Sequence, residues 1–260
     1  EQAFGYGPKS LPPLVYALDD EIRLEIIGRI DRIDTAETEQ GSMFLVLDYK
    51  TGNAYLNLWE IYYGLNLQLL TYLMVAEAGL AMLRGAPAAF AGMLYCFMRS
   101  KLIDTDCAVS AEQAQELLRK ELRMPGWVVA DPAIIRSIDA SAKFIKVTLN
   151  KDGSPRSGSS IRTPEEFDVL LDYMAARLKR TGTDILSGEA AARRYRMSSS
   201  NACTYCKYHA VCGFDLQIPG FAYEEMPKAG KPEEALAAMK QETEEEGMHH
   251  AMVRGTAQSH

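Results

Sequence analysis

The stretch FLVLDYKTG, residues 44–52, sets an acid and a base two residues apart at the end of a hydrophobic run. Phe44, Leu45, Val46 and Leu47 have the makings of a buried strand, and Asp48 and Lys50 follow without a break. Alternate residues of a strand point the same way, so Asp48 and Lys50 share a face with Phe44 and Val46. Asp31 lies 17 residues before Asp48, which leaves room for two strands and a turn that bring the acids together. Two carboxylates converging at a sheet edge repel each other unless a cation stands between them. A hard divalent ion such as Mg²⁺ prefers oxygen ligands and keeps several waters. One of those waters becomes a nucleophile as the metal lowers its pKa. Lys50 is placed to orient that water or to stabilise charge building on a phosphate. These are the requirements of phosphodiester hydrolysis. A lone acid-x-Lys is more often a surface ion pair on an edge strand. Here the acid follows four apolar residues, where an unpaired carboxylate is costly, and Asp31 sits at a matching position. Gln68 and Tyr72, four residues apart on the helical stretch that follows, share one helix face.

The elements that must position these groups are readable in outline. EIRLEIIGRIDRID, residues 21–34, alternates with period two and reads as one strand, its apolar face formed by Ile22, Leu24, Ile26 and Ile30. The polar connection TAETEQGS and the strand FLVLDYK follow, so the pair reads as an antiparallel hairpin. A continuous helix is expected from Leu58 to Leu83, ended by Arg84-Gly85-Ala86-Pro87. AFAGMLYCFM (89–98) and KFIKVTL (143–149) read as strands, the latter running into a turn at Asn150-Lys151-Asp152-Gly153. Residues 111–122 form a helix capped by Ser110. Residues 163–180 form an amphipathic helix with Thr163 as cap, Pro164 at its first position and acids in its first turn. The order β-β-α-β-α-β-α implies an α/β domain with a mixed central sheet.

Three of the five cysteines crowd into CTYCKYHAVC: Cys203, Cys206 and Cys212. Such a cluster is expected to be a metal-binding pattern rather than a disulfide framework, since no secretory signal is visible in these residues and the cysteine count is odd. Two metals suit it. Zinc would take the thiolates with His209; an iron–sulfur cluster would need a fourth thiolate from elsewhere.

Composition sets further bounds. With 260 residues, 47% apolar and 24% charged, the chain is an ordinary globular sequence able to bury a sizeable core. A net charge of -7 excludes a generally basic, DNA-coating surface but not a local basic groove. The apolar stretch 61–83 carries Asn66, Gln68, Thr71 and Glu77, too many polar groups for a membrane span, and the cytoplasm is the expected compartment. The opening EQAFGYGPKS reads as the interior of a domain, so the chain is expected to be a fragment. After the cysteines, the polar stretch from Lys228 is expected to form one exposed helix followed by disorder.

Taken in order, Gly28-Arg29-Ile30-Asp31-Arg32-Ile33-Asp34, Asp48-Tyr49-Lys50-Thr51-Gly52 and Gly64-Leu65-Asn66-Leu67-Gln68-Leu69-Leu70-Thr71-Tyr72 resemble the PD-(D/E)XK nuclease domains of the bacterial RecB/AddB type, over roughly residues 1–227. The resemblance implies a restriction-endonuclease-like sheet flanked by helices (1–200), a cysteine segment (201–227) closing the same domain, and a flexible tail (228–260). It implies that Asp31, Asp48 and the Tyr49 carbonyl hold Mg²⁺, that Lys50 is the catalytic lysine and that Gln68 and Tyr72 complete the site; Asp34 is read as structural. For Cys203, Cys206 and Cys212 it implies a [4Fe–4S] cluster whose fourth cysteine is expected upstream, since none precedes Asp31. The implied activity is a DNA exonuclease module for double-strand break repair, in a heterodimer with an AddA-like helicase–nuclease partner. The competing readings are a nuclease-fold module that binds DNA without cleaving it, and a zinc-stapled interaction domain.

Overall fold

A computed structural model describes residues 1–7, 10–38, 41–98, 103–141, 143–147, 150, 156, 160–197, 200–226 and 230–245. Its order begins with the strands β1 (Gln2–Phe4), β2 (Leu14–Ala17), β3 (Arg23–Ile26), β4 (Gly28–Ile30), β5 (Arg32–Thr38) and β6 (Gly41–Lys50). The helices α1 (Leu58–Tyr62) and α2 (Gln68–Arg84) follow, then β7 (Ala89–Phe97), α3 (Ala111–Glu121), β8 (Gly126–Val129) and α4 (Pro132–Asp139). Next come β9 (Ile161–Arg162), α5 (Pro164–Leu186), β10 (Tyr195–Met197), β11 (Ser200–Asn201), α6 (His209–Cys212), β12 (Glu224–Glu225) and α7 (Pro232–Glu245).

The core is a five-stranded mixed sheet, β5-β6-β7-β8-β9, in which only β6–β7 and β8–β9 run parallel. Six consecutive residues of β6, Met43 to Asp48, are buried, as a strand covered on both faces requires. α2 packs on β6 and β7 and against α5, so the sheet is flanked by helices as expected. Where β7 meets β8, Gly92 and Gly126 hold positive φ, and a Cβ on either would press to 2.4 or 2.2 Å from a carbonyl oxygen of the other strand. That crossing admits only glycine. The capping boxes at Ser110 and Thr163 form as their sequences require.

The expected strand 21–34 is three strands. Residues 23–26 pair with β2, 28–30 with β1, and only from Arg32 does the chain join the central sheet. Alternation reports that two faces differ, not which partner each segment takes, and Ile22 and Ile27 are exposed. The polar connection is shorter than expected, because β5 runs to Thr38 and β6 starts at Gly41. The expected helix 58–83 breaks between Tyr62 and Gln68. The Tyr173 hydroxyl donates to the Tyr62 carbonyl at 2.6 Å, and Gly64 turns the chain at φ 78° beneath the Arg177 guanidinium. In place of a strand at 143–149, the described residues make one bridge, Ile145 to Met124; Thr148, Leu149 and the turn at 151–153 lie outside the described residues.

The C-terminal helix forms as expected, but one face of it is docked and not exposed. Ala235, Met239 and Thr243 form a narrow stripe at four-residue steps, buried against α5 and α1, and Glu242 pairs with Arg180. Small and medium side chains suffice for a close helix contact, which a search for large apolar residues overlooks. Residues 246–260 lie outside the described residues.

Candidate active site

The β5–β6 hairpin fixes the two acids. Arg32 stands opposite Leu47, and one further step along that antiparallel register brings Asp31 across from Asp48. An Asp31 oxygen, Oδ2, accepts the Tyr49 N–H at 2.8 Å, which locks it to the end of β6. Asp48 is only 2% exposed. Lys50 Nζ lies 2.6 Å from Asp48 Oδ2 as an ion pair, and among the described residues this buried oxygen meets no other donor. Burial pushes the Asp48 carboxyl above the ordinary carboxylate range; Lys50 opposes that, and the neighbouring Asp31 adds to it.

Lys50 is held from the other side by α2. Its ammonium donates to Gln68 Oε1 at 2.6 Å, and Gln68 Nε2 donates to the Tyr72 hydroxyl at 2.9 Å. The helix break at Gly64 explains this reach. It makes Gln68 the first residue of α2, level with the end of β6, and puts Tyr72 one turn behind, where its ring meets Phe4 edge-on. Asp31, Asp48, Lys50, Gln68 and Tyr72 thus form one connected group. Asp34 stands apart, its carboxylate bound to the Arg32 guanidinium at 2.6 and 2.9 Å.

Sequence reasoning missed Tyr95 and Asn66. Tyr95 neighbours Asp48 in the parallel β6–β7 register, and its ring lies 5.6 Å from the Lys50 ammonium. Burial, with Asp48 and Glu60 nearby, pushes its hydroxyl up to about 12. That hydroxyl donates to Asn66 Oδ1 at 3.0 Å. Only the pairing of β6 with β7 reveals this neighbour, and a single strand's pattern holds no trace of it. Lys50 and Gln68 open onto a cleft of about 600 Å³, and Asp31 onto a smaller hollow of about 300 Å³.

These residues fit a divalent cation. Two carboxylates face each other, and the buried one has Lys50 alone against its inner oxygen, so a cation would relieve both desolvation and repulsion. Among the described residues no group of three or more His, Cys, Asp or Glu converges on a metal position. A pair of carboxylates is nonetheless the usual protein share of a Mg²⁺ site.

The cysteines fit less well. Cys206 and Cys212 are exposed, Cys203 is half-buried, and all three are free. The Cys206 N–H donates to the Cys203 carbonyl at 3.2 Å in a tight turn, while Cys212 closes α6. The Arg194 side chain, hydrogen-bonded to it, lowers the Cys212 thiol below its ordinary range. An iron–sulfur cluster needs four thiolates, and the described residues do not gather even three metal-binding groups. Neither that cluster nor a zinc site with His209 is formed by the side chains as they stand. The segment is instead held by Arg194, stacked on Phe214 and Phe221 at 4.6 and 5.2 Å, and by Arg196 on Tyr223 at 5.1 Å.

No described helix is long and apolar enough to cross a membrane. A family model described as the PD-(D/E)XK nuclease superfamily matches residues 1–213. Among curated proteins, the B-type subunit of the ATP-dependent helicase/deoxyribonuclease of Bacillus mycoides (strain KBAB4) is 35% identical over 250 residues, which is 93% of this chain and 21% of that protein. The same-named proteins of Bacillus cereus strains G9842 and ATCC 14579 are 35% and 36% identical, with the same shares covered. The chain therefore spans about a fifth of the length of the curated relatives it matches.

Proposed function

Because the chain belongs to the PD-(D/E)XK nuclease superfamily, we propose that it is the nuclease module of a helicase–nuclease complex, a Mg²⁺-dependent deoxyribonuclease acting as an exonuclease. What carries this reading is the unbroken run of contacts Asp48–Lys50–Gln68–Tyr72, with Asp31 bound to the backbone beside it. Asp31, Asp48 and the Tyr49 carbonyl would hold the ion, which when bound supplies an activated water and offsets the charge of the scissile phosphate. Lys50 has three N–H donors. It can keep Gln68 and Asp48 while giving its remaining donor to a phosphate oxygen on which charge builds. Gln68 fixes the ammonium in place, and Tyr72 fixes the Gln68 amide.

The substrate on this reading is DNA, the partner an AddA-like protein in a heterodimer, the setting double-strand break processing in the cytoplasm. Support comes from the relatives' names, which join a helicase to a deoxyribonuclease. Hydrolysis of linear DNA by the full-length protein tests it. Lys50→Ala should lower the rate in Mg²⁺ by on the order of 10²- to 10³-fold, Asp48→Ala should abolish it, and Ca²⁺ should bind with little cleavage. Undiminished cleavage by Asp48→Ala, or cleavage in a chelator, overturns the proposal. For Cys203, Cys206 and Cys212 the resemblance to the RecB/AddB-type nucleases implies three thiolates of a [4Fe–4S] cluster, with a fourth from outside their segment. Protein purified without air should then contain iron and sulfide; zinc without iron would exclude the cluster.

A further inference from the structure

A buried tyrosine on a sheet strand needs a reason that a phenylalanine does not, because a hydroxyl taken out of water must find a partner. Tyr95 is 2% exposed on β7, beside Asp48 in the parallel register, and its hydroxyl donates to Asn66 Oδ1 at 3.0 Å. Asn66 sits in the break between α1 and α2, two residues ahead of Gln68. We propose that Tyr95 and Asn66 are a positioning pair for the candidate active site. The Tyr95 ring steadies the Lys50 ammonium directly, and the Tyr95 hydroxyl, acting through Asn66, fixes the start of α2 and with it the place of Gln68. The pair rests on the nuclease reading and adds to it two residues that act on Lys50 without meeting the DNA.

Three observations support it. Tyr95 is firmly placed: β7 lies between β6 and β8 in the sheet, and the Tyr95 N–H donates to the Pro125 carbonyl at 2.8 Å, just ahead of β8. The centre of its ring is 5.6 Å from Lys50 Nζ, inside the ~6 Å over which a ring attracts a cation. Second, α2 begins unsupported by its own sequence. Its N-cap residue, Leu67, makes no side-chain cap, and Gln68 is exposed, so neither a cap nor burial holds the first turn. Third, Asn66 is tied on two sides. Its Oδ1 accepts from Tyr95, and its Nδ2 donates at 2.8 Å to the carbonyl of Tyr55, in the loop that follows Lys50. One half-buried amide thus joins the strand beside Asp48, the loop after Lys50 and the entry to α2. From there Gln68 Oε1 reaches the ammonium at 2.6 Å.

The experiment measures kcat and KM separately for cleavage of end-labelled DNA by the full-length protein in Mg²⁺, beside DNA binding in Ca²⁺. Tyr95→Phe keeps the ring and should lower kcat by about 2- to 13-fold, and Asn66→Ala should lower it at least as much. Tyr95→Leu also loses the ring and should be slower than Tyr95→Phe by about 2- to 30-fold. KM and the affinity in Ca²⁺ should stay within about twofold of the parent, which also shows that each variant is folded. In a Gln68→Ala background Tyr95→Phe should cost nothing more, because the hydroxyl works through Gln68, whereas Tyr95→Leu should still slow cleavage. Tyr95→Phe and Asn66→Ala remove only polar side-chain atoms, so the test does not depend on the larger substitution. Variants as fast as the parent, losses that fall on KM or on binding in Ca²⁺, or a Tyr95→Phe effect that multiplies with that of Gln68→Ala each overturn the positioning role and leave the nuclease reading standing. A parent that cleaves no DNA in Mg²⁺ overturns both.

Discussion

Replacing Gln68 by alanine removes the side chain that joins α2 to the Lys50 ammonium. In the parent, Lys50 Nζ sits 2.6 Å from both Gln68 Oε1 and Asp48 Oδ2, with the Tyr95 ring 5.6 Å away. Without Gln68 the ammonium is left to the carboxylate alone and is drawn toward it, away from the open cleft. A hydrogen bond to a charged group contributes about 1.5–3 kcal/mol. If that bond is made in full only with the ammonium correctly placed in the transition state, its loss lowers kcat by about 10- to 160-fold, at 1.36 kcal/mol per decade. The phosphate still meets the same residues in the ground state, so KM should stay near its parent value. Tyr72→Phe keeps the ring against Phe4 and deletes only the hydroxyl that holds the Gln68 amide. Its effect should be smaller, about 2- to 13-fold from a neutral hydrogen bond of about 0.5–1.5 kcal/mol. Tyr72 acts through Gln68, so the double variant should be no slower than Gln68→Ala alone. Single-turnover cleavage of end-labelled DNA with saturating Mg²⁺ gives all three rates. A Gln68→Ala enzyme as fast as the parent, or losses that multiply in the double variant, would refute the relay.

Adding Mg²⁺ or Ca²⁺ should raise the thermal midpoint of the parent, by the equivalent of about 2.7 kcal/mol at a hundred times Kd; Asp48→Asn, followed by differential scanning fluorimetry, should show no such shift. Met239→Ala should cost about 2–5 kcal/mol in urea unfolding, as a fully buried side chain lost from a packed helix contact; a cost near zero would mean that α7 is not docked. Asp139 accepts N–H bonds from Phe144 at 2.6 Å and Ile145 at 3.1 Å and the Ser141 hydroxyl at 2.8 Å. Burial pushes its carboxyl up, but these donors together bring it below the ordinary range. The unfolded chain then binds the proton more tightly than the folded one, so the contribution is complete above the unfolded value of about 3.9 and disappears as the pH falls through the folded one. Asp139→Asn should accordingly cost about 1–3 kcal/mol at pH 7, and the gap to the parent should narrow in acid.

What the chain discloses about its own fold depends on how local the cause is. The caps at Ser110 and Thr163, the hairpin ahead of Asp48 and the stop after Arg84 are set by a few neighbouring residues, and all were legible. The break at Gly64 was not, because its causes, the Tyr173 hydroxyl and the Arg177 guanidinium, lie more than a hundred residues away. β8 is four buried residues, GWVV, with no alternation to mark it. The same division runs through the candidate site. Asp31, Asp48, Lys50, Gln68 and Tyr72 carry recognisable spacing, and the structure brings them into one group. Tyr95 and Asn66 enter through the parallel partner strand and the unforeseen break, and their positions follow only from the three-dimensional pairing.

Because α7 packs on α5 and α1, the described stretches between Leu186 and Pro232 lie between two helices that touch each other, as in a strap fastened at both ends. Opening such a strap frees its own residues but does not let the rest of the chain drift away, so the entropy gained is that of a closed loop, not of a loose end. The region bearing Cys203, Cys206 and Cys212 can therefore melt, oxidise or be nicked as a unit of its own while the sheet and its acids persist.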